Sequence, residues 1–271
     1  MRIESTLLSN VEISPSYWRM RLTATDEFVR QASPGRFVMI QAGKSIDPLL
    51  RRPFAVFETG IVFGGSTAYF DILYRVAGKG TALLSTRREN EMLDILGPLG
   101  KGFSLSHAAG EHLLVGGGIG LAPLHALAKK LGGYDLATRL FVGGRGRNDI
   151  FCLDEFEMLG VECRVATEDG SLGERGRVTD ILIPHLESTN GNATIYACGP
   201  EGMLRAVAKL AAEHRLSCQV SLESRMACGI GVCLGCVVPG HRHSPETPDF
   251  RCVCADGPVF DSNDLDWEKT R

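Results

Sequence analysis

The sequence predicts a β plus α/β protein in three parts: an antiparallel β-barrel or sandwich over residues 1–105, a parallel sheet over 106–216, and a small third domain over 217–271. The first part consists of short strand-like runs separated by turn residues. The second alternates strands with helices, which indicates a parallel sheet flanked by helices. The third is rich in glycine and cysteine with little periodicity, and a small domain of that kind needs a metal centre for stability.

The barrel is predicted from its strand-like runs, which lie at residues 36–41, 54–59, 60–65 and 68–76. One stretch, 80–88, has the composition of a helix. Short strands with turn residues between them are typical of small antiparallel barrels. We therefore expect a single helix in this part.

The parallel sheet begins with HLLVGGGIG, a buried strand that enters a glycine-rich turn, followed by a helical stretch. Further strands are predicted at 139–145, 161–169 and 193–200, with helices at 154–159 and 201–214. Open parallel sheets bind ligands at the carboxyl edge of their strands. A ligand site is expected at that edge.

The third part is defined by its cysteines. Cys228, Cys233 and Cys236 have the C-x4-C-x2-C spacing, and a fourth cysteine, Cys252 or Cys254, follows after a loop. This is the plant-type spacing for a [2Fe–2S] cluster. Structural zinc usually has two C-x2-C pairs, so the spacing favours the cluster over a zinc knuckle without choosing the fourth ligand.

Composition excludes several classes of function. The net charge is −3 with no long basic run, which gives nucleic-acid binding no support. The first twenty residues lack the apolar region of a signal peptide, and no apolar run is long enough to span a membrane. Nine cysteines in such a chain indicate a reducing cytoplasm, where thiols serve metal or redox chemistry.

Two elements of the barrel suit phosphate. Arg51 and Arg52 precede a proline at the start of a strand, and an arginine there can bind phosphate through two N–H groups. Gly78, Gly80 and Thr81 open a helix, whose N-terminus attracts anions. Together they point to a dinucleotide such as FAD, and a surface arginine pair with an ordinary helix cap remains equally supported.

The glycine turn of the sheet suits a second nucleotide. Gly116, Gly118 and Gly120 let a pyrophosphate approach the backbone, and Pro123 fits the first turn of the following helix. Cys198 and Gly199 end a later strand at the same edge. Glycine-rich strand–helix turns also occur without ligands, so the signal is weak when taken alone.

Taken in order, these segments resemble one family over nearly the whole chain: the electron-transfer subunits of NAD-dependent dihydroorotate dehydrogenase B, within the ferredoxin reductase superfamily. RPFA, LYR and GKGT are similar to the superfamily's FAD-binding elements, and GGGIGLAPL with YACGPEGML to its nicotinamide-binding domain. SLESRMACGIGVCLGCVV with VCADGPVFD is similar to the family's cluster domain.

The resemblance implies the cofactors FAD, a [2Fe–2S] cluster and exchangeable NAD, and selects Cys254 over Cys252 as the fourth cluster ligand. It implies a relay of electrons from an FMN-containing partner that oxidises dihydroorotate, in pyrimidine biosynthesis, within a heterotetramer of two catalytic and two electron-transfer chains. The site residues that it implies for FAD are Arg52, Pro53, Phe54, Ala55, Leu73, Tyr74, Arg75, Gly80 and Thr81. Those for NAD are Gly116, Gly118, Gly120, Pro123, Cys198 and Gly199. No residue of this chain is expected to act as a general acid or base.

One residue departs from the family pattern. Ala55 stands where the family has serine or threonine, whose hydroxyl is expected near the reactive nitrogen of the flavin. Two other functions stay open from the sequence: a ferredoxin:NAD(P) oxidoreductase or sulfide dehydrogenase subunit with the same order of domains, and a zinc-stabilised binding module.

Overall fold

The computed structural model describes residues 1–43, 46–62, 64–105, 110–134, 136–188, 192–242 and 246–270. The predicted boundary between residues 105 and 106 adjoins the range 106–109, which lies outside the described residues.

Six antiparallel strands close into a barrel in the order β1-β2-β5-β4-β3-β6. Their bounds are β1 Arg2–Ser14, β2 Tyr17–Ala24, β3 Phe37–Ile40, β4 Arg52–Ile61, β5 Ala68–Arg75 and β6 Met92–Leu99. Apolar side chains from every strand fill the interior, and closure leaves the barrel no free edge. The predicted fold class is confirmed for this part.

Two details of the barrel differ from the sequence prediction. The run at 60–65 is not a separate strand among the described residues, because β4 continues through Ile61. Among its described residues the barrel part contains two helices, α1 (Asp26–Gln31) and α2 (Lys79–Ser85). Helix α1 was missed because it is too short for a periodic pattern and buries only Phe28, although Thr25 caps it through a side-chain bond to the Phe28 amide.

The second part is a seven-stranded sheet in the order β10-β9-β8-β7-β11-β12-β15, in which β15 is Val259–Asp261. Its parallel strands are β7 Glu111–Gly117, β8 Thr138–Gly144, β9 Glu162–Thr167, β10 Glu174–Arg175, β11 Ala193–Cys198 and β12 Ser217–Ser221. The helices between them are α3 Leu121–Gly132, α4 Leu153–Met158, α5 Val178–Ser188 and α6 Glu201–Glu213. The confirmed parallel sheet places the carboxyl ends of β7 and β11 side by side.

The C-terminal part is joined to this sheet. Strand β15 (Val259–Asp261) runs antiparallel to β12, while β13 (Val237–Pro239) and β14 (Phe250–Cys252) form a separate two-stranded sheet. The seven-stranded sheet therefore draws strands from both sides of residue 217, and the division into three domains stays a prediction.

None of the helices within the described ranges combines the length and the apolar character that a membrane crossing requires.

Candidate functional site

A cavity of about 260 Å³ lies where the three parts of the chain meet. Its barrel wall consists of Gly35, Phe37, Pro53, Phe54, Ala55, Leu73, Tyr74 and Arg75. The sheet contributes Ile119, Ala122, Pro123 and Cys198. The third wall is formed by Ser221, Leu222, Glu223, Ser224, Met226 and Pro258. Eight predicted site residues thus line one cavity.

The barrel wall is built from neighbouring strands β4 and β5. Because strand side chains alternate, Leu73 packs toward the nucleotide sheet and Tyr74 packs inside the barrel. The hydroxyl of Tyr74 donates to Oδ1 of Asn10 at 2.9 Å, and burial raises its pKa. The hydroxyl of Tyr74 is therefore already bound to a side chain of β1.

The two arginines before Pro53 have different partners in the structure. Arg51 donates to the carbonyl oxygen of Asp94 and to its Oδ2, both at 2.8 Å. The guanidinium of Arg52 instead lies against the start of α2, where a Cβ on Gly80 would be 2.7 Å from Arg52 Nε. Arg52 and the α2 N-terminus form one cationic corner, which fits a phosphate group.

Thr81 stabilises the turn at the start of α2. Its hydroxyl accepts hydrogen bonds from the amides of Ala77 and Gly78, at 3.0 and 3.2 Å. The side chain thus fixes the turn that enters α2 and orients the backbone N–H groups that follow.

The glycine turn lies directly on the end of β11. Gly118–Gly120 form one turn of 3-10 helix that runs into α3, with Pro123 in the first turn of α3. A Cβ on Gly120 would collide with the carbonyl oxygen of Cys198, so this close approach requires glycine. The fold therefore brings together both halves of the predicted nicotinamide site.

Sequence reasoning missed the third wall. Ser221 ends β12 at the carboxyl edge of the sheet, and Glu223 and Met226 follow it into the cluster segment. The side chain of Glu223 stays accessible to solvent, while the surrounding cavity walls displace part of its water and raise the pKa of its carboxyl. The sequence feature that could have predicted this wall is the position of SLESRM, at the end of a parallel strand and before the first cluster cysteine.

The four predicted cluster cysteines lie in two loops: Cys228, Cys233 and Cys236 lie in residues 227–236, which we call the cluster loop, and Cys254 lies in the turn after β14. The sulfur of Cys228 accepts N–H groups from Ile230 and Cys233 at 3.5 Å each. The sulfur of Cys254 accepts the Gly231 amide at 3.1 Å, and that of Cys236 accepts the Cys254 amide at 3.4 Å. Such N–H···S contacts stabilise thiolates, which are the form that binds iron.

The sulfurs are arranged as an outer and an inner pair. Cys236 and Cys254 are buried, at 2 % exposure each, whereas Cys233 is exposed and Cys228 half-buried. The pKa of Cys228 is lowered to about 6, and the hydrogen bond from the Ile230 amide is the largest cause. Burial, with Cys236 nearby, raises the pKa of Cys254 to about 12.

This donor set fits a [2Fe–2S] cluster. Two buried thiols cannot both ionise without a cation beside them, and iron supplies that charge. Within the described ranges no three His, Cys, Asp or Glu side chains are arranged around a single metal ion. A [2Fe–2S] cluster would need four thiolates, which these four cysteines would supply.

Cys252 and Cys254 differ in their contacts. Cys254 is buried and its sulfur accepts the Gly231 amide of the cluster loop, whereas Cys252 is half-buried. The geometry supports Cys254 as the fourth ligand, and the assignment of individual site residues stays a prediction.

The cluster loop packs on the barrel. Gly229 has φ of +73°, a left-handed conformation that favours glycine, and a Cβ there would be 2.7 Å from the Met39 side chain. The same core contains Cys236, Cys254 and Phe37, with Met226 packed against it. Phe37 and Met226, which line the cavity, therefore belong to the same hydrophobic core as the inner sulfur pair.

Two family models match the chain. Residues 223–266 match the iron–sulfur cluster binding domain of dihydroorotate dehydrogenase B. Residues 114–209 match the oxidoreductase NAD-binding domain. The first match decides between the cluster and structural zinc in favour of the cluster.

Curated relatives match over nearly the full length. The dihydroorotate dehydrogenase B (NAD(+)) electron transfer subunit of Desulforamulus reducens is 34 % identical over 265 residues, covering 98 % of each chain. The subunit of the same name from Bacillus caldolyticus is 41 % identical over 247 residues, covering 90 % of this chain and 91 % of that one.

Solved structures agree with this fold. An NADH-dependent reduced ferredoxin-NADP oxidoreductase, described for flavin-based electron bifurcation, superposes with a TM-score of 0.84 at 27 % identity, covering 98 % of this chain and 91 % of that chain. A cytochrome P450 reductase from Amycolatopsis shares the fold at 23 % identity, with a TM-score of 0.65, covering 80 % of this chain and 67 % of that chain.

FAD, a [2Fe–2S] cluster and NAD are the cofactors that the two domain models and the reductase fold assign to the chain. With identities of 34–41 % over at least nine-tenths of its length, the chain belongs to the family of electron-transfer subunits of NAD-dependent dihydroorotate dehydrogenase B.

Proposed function

We propose that this protein relays electrons from an FMN-containing catalytic subunit, which oxidises dihydroorotate to orotate, to NAD+ in pyrimidine biosynthesis. The two kinds of chain form a heterotetramer with two copies of each. The C–H chemistry belongs to the catalytic subunit, and this chain supplies the electron path.

One observation carries the proposal: the cavity wall and the cluster loop are a single stretch of chain. The cavity is lined by Ser221, Leu222, Glu223, Ser224 and Met226, and Met226 lies two residues before Cys228. Met226 also packs against the core that contains Cys236 and Cys254. A cofactor in the cavity and a cluster on these cysteines are thereby neighbours, which short-range electron transfer requires.

The residues around the cavity have distinct tasks in this proposal. Arg52 and the α2 N-terminus bind the pyrophosphate of FAD, while Pro53–Ala55 and Leu73–Arg75 frame its ring system. The glycine turn, Pro123, Cys198 and Gly199 bind the nicotinamide nucleotide. When bound, a flavin exchanges single electrons with a cluster and hydride with a nicotinamide, because it is stable with zero, one or two added electrons.

Ala55 brings no hydroxyl to this cavity. The polar side chains that face it come from elsewhere, including Arg75 of the barrel and Ser221, Glu223 and Ser224 of the third wall. We infer that hydrogen bonding at the reacting edge is supplied by these groups, by water or by backbone.

The outer face of the cluster loop is the proposed docking surface. Ile230, Val232 and Leu234 are exposed at 53, 74 and 61 %. Exposed apolar side chains beside a redox centre are typical of a protein interface. The catalytic subunit binds there and brings its FMN close to the cluster.

We further place the protein in the cytoplasm. All nine cysteines are free, including buried Cys198 and Cys218. Free thiols in this number suit a reducing compartment.

A second function has one observation in its favour. The ferredoxin-NADP oxidoreductase structure covers 98 % of this chain at 27 % identity, so a ferredoxin:NAD(P) oxidoreductase, or a related sulfide dehydrogenase subunit, is the alternative. The two functions differ in whether an orotate-forming partner is required.

The test is reconstitution with the catalytic subunit. The pair should form NADH from dihydroorotate and NAD+, the isolated chain should transfer electrons only from NADH to an artificial acceptor, and size analysis should give two copies of each chain. Orotate formation by the isolated chain would refute the relay. Reduction of ferredoxin by NADH, together with no coupling to the catalytic subunit, would establish the alternative.

A further inference from the structure

Charged side chains form a network where the barrel meets the nucleotide sheet, and we call it the Arg19 cluster. Its members are three cations and three carboxylates: Arg19, Arg21, Lys129, Glu58, Asp71 and Glu155. Arg19 Nε donates to fully buried Asp71 at 2.7 Å, and Arg19 Nη1 donates to both carboxylate oxygens of Glu155 at 2.8 and 2.9 Å. The numbers of cations and carboxylates are equal, and each carboxylate contacts at least one cation.

Two ion pairs of this cluster join the barrel to the sheet. Arg19 on β2 binds Glu155 on α4, and Glu58 on β4 accepts from Lys129 Nζ on α3 at 2.7 Å. An aromatic stack lies between them: the His125 ring of α3 is 4.2 Å from that of Phe57, at an interplanar angle of 16°. The guanidinium of Arg19 lies 4.8 Å from the centre of the same Phe57 ring.

The contacts act on a helix that starts at the candidate site. Helix α3 begins at Leu121, directly after the glycine turn, and Ala122 and Pro123 line the cavity. Lys129 follows Ala122 by roughly 10 Å along the helix axis, at about 1.5 Å per residue. The position of α3 on the barrel therefore decides where the glycine turn lies relative to the barrel wall.

We propose that Glu155 and Lys129 are positioning residues for hydride exchange, because through the Arg19 cluster they hold the glycine turn in register with the barrel wall of the cavity. This inference rests on the proposed function of that cavity. Phe57 and Leu73 of the barrel also share a hydrophobic core with α3. Apolar burial is non-directional, so we assign the register between the two parts to the ion pairs. A displacement of about 1 Å in a reacting pair lowers a rate by roughly a hundredfold, so a fixed register has a direct effect on hydride exchange.

The test uses the chain loaded with FAD and cluster, and the variants Glu155→Gln, Lys129→Gln and the double variant. Both substitutions are on the sheet side, so the barrel members Arg19, Arg21, Glu58 and Asp71 remain. Anaerobic rapid mixing with NADH gives the rate constant of flavin reduction and, from its concentration dependence, the Kd. We expect the double variant to lose at least tenfold in the rate constant, with Kd changed less than about threefold.

Two variants serve as controls. Glu162→Gln removes an ion pair with Arg139 between neighbouring strands of the sheet and should leave the rate constant unchanged. Lys129→Arg keeps the charge opposite Glu58 and should retain most of the parent rate constant.

A second measurement does not depend on turnover. Hydrogen–deuterium exchange of residues 121–132 and 153–158 should be faster in the double variant than in the parent, and unchanged in Glu162→Gln. An unchanged rate constant in the double variant overturns the inference, as does a reduced amplitude at unchanged rate constant, which would show loss of folded protein alone. If NADH does not reduce the flavin of the parent at all, the proposed function fails, and the exchange measurement still decides whether the two ion pairs hold α3 and α4 on the barrel.

Discussion

The guanidinium of Arg52 lies against Gly80, so close that a Cβ at that position would be 2.7 Å from Arg52 Nε. Two segments that are distant in the sequence, the start of β4 and the start of α2, thereby present a side-chain cation and helix N–H groups at one place.

Arg52→Ala should weaken FAD binding. Loss of a charge-assisted hydrogen bond to phosphate removes about 1.5–3 kcal/mol, which corresponds to a tenfold to hundredfold weaker Kd. FAD retained after dialysis, measured by fluorescence after heat release, reports the change. Arg51→Ala is the matched control, because Arg51 is bound to Asp94, and its FAD content should equal that of the parent. Equal losses in both variants would contradict a specific phosphate contact by Arg52.

Cys254→Ser and Cys252→Ser should differ. The sulfur of Cys254 is buried and accepts the Gly231 amide, so its loss should remove most of the iron and acid-labile sulfide while FAD stays bound. Cys252→Ser should keep both. Metal analysis and the visible spectrum of anaerobically purified protein measure this. If the cluster is lost only in Cys252→Ser, the fourth ligand is Cys252 and not Cys254.

Cys236→Ser should separate the two half-reactions. With the inner sulfur pair broken, dihydroorotate-linked NAD reduction in the reconstituted complex should disappear. NADH oxidation with an artificial acceptor should largely persist, because it needs the flavin and nicotinamide sites but not the cluster. If both activities fall equally while FAD stays bound, the cluster is not the link between the two subunits.

Val232→Asp should weaken binding of the catalytic subunit by tenfold or more, because a carboxylate would be buried unpaired in the interface. Met158→Asp is the control, since Met158 is similarly exposed, at 76 % against 74 % for Val232, and lies on α4. Affinity is measured by titration of the two subunits, with NADH–acceptor activity as the check on folding. Equal affinity in both variants would place the docking surface elsewhere.

His125 should make the protein sensitive to acid. Burial lowers its pKa from 6.5, although Glu58 and Glu155 oppose the shift and Arg19 adds to it. The unfolded chain then binds more protons than the folded chain below about pH 6.5, so folded stability falls as the pH decreases through that range. His125→Phe keeps the stack on Phe57 and removes the titration. The difference in Tm between the variant and the parent should shift in favour of the variant from pH 7.5 to 5, and a difference independent of pH would show that His125 does not titrate on unfolding.

The sequence predictions that the structure and the family models confirm rest mostly on local patterns. Strand alternation, the glycine turn and the C-x4-C-x2-C spacing each lie within one short segment, so the barrel, the parallel sheet and the kind of metal centre were readable from residue order. The resemblance of RPFA, LYR and SLESRMACG to one family added the cofactors and the relay.

Contacts between distant segments were decided by the tertiary structure alone. It separates Arg52 from Arg51, because only packing shows that Asp94 binds one of them. It turns the hydroxyl of Tyr74 toward Asn10. It also adds β15 to the nucleotide sheet and places Glu223 in the cavity. Periodicity and spacing describe neighbours along the chain, whereas these contacts depend on how separate elements pack. The ion pairs Arg19–Glu155 and Lys129–Glu58 exist only because the barrel meets the helices of the sheet there.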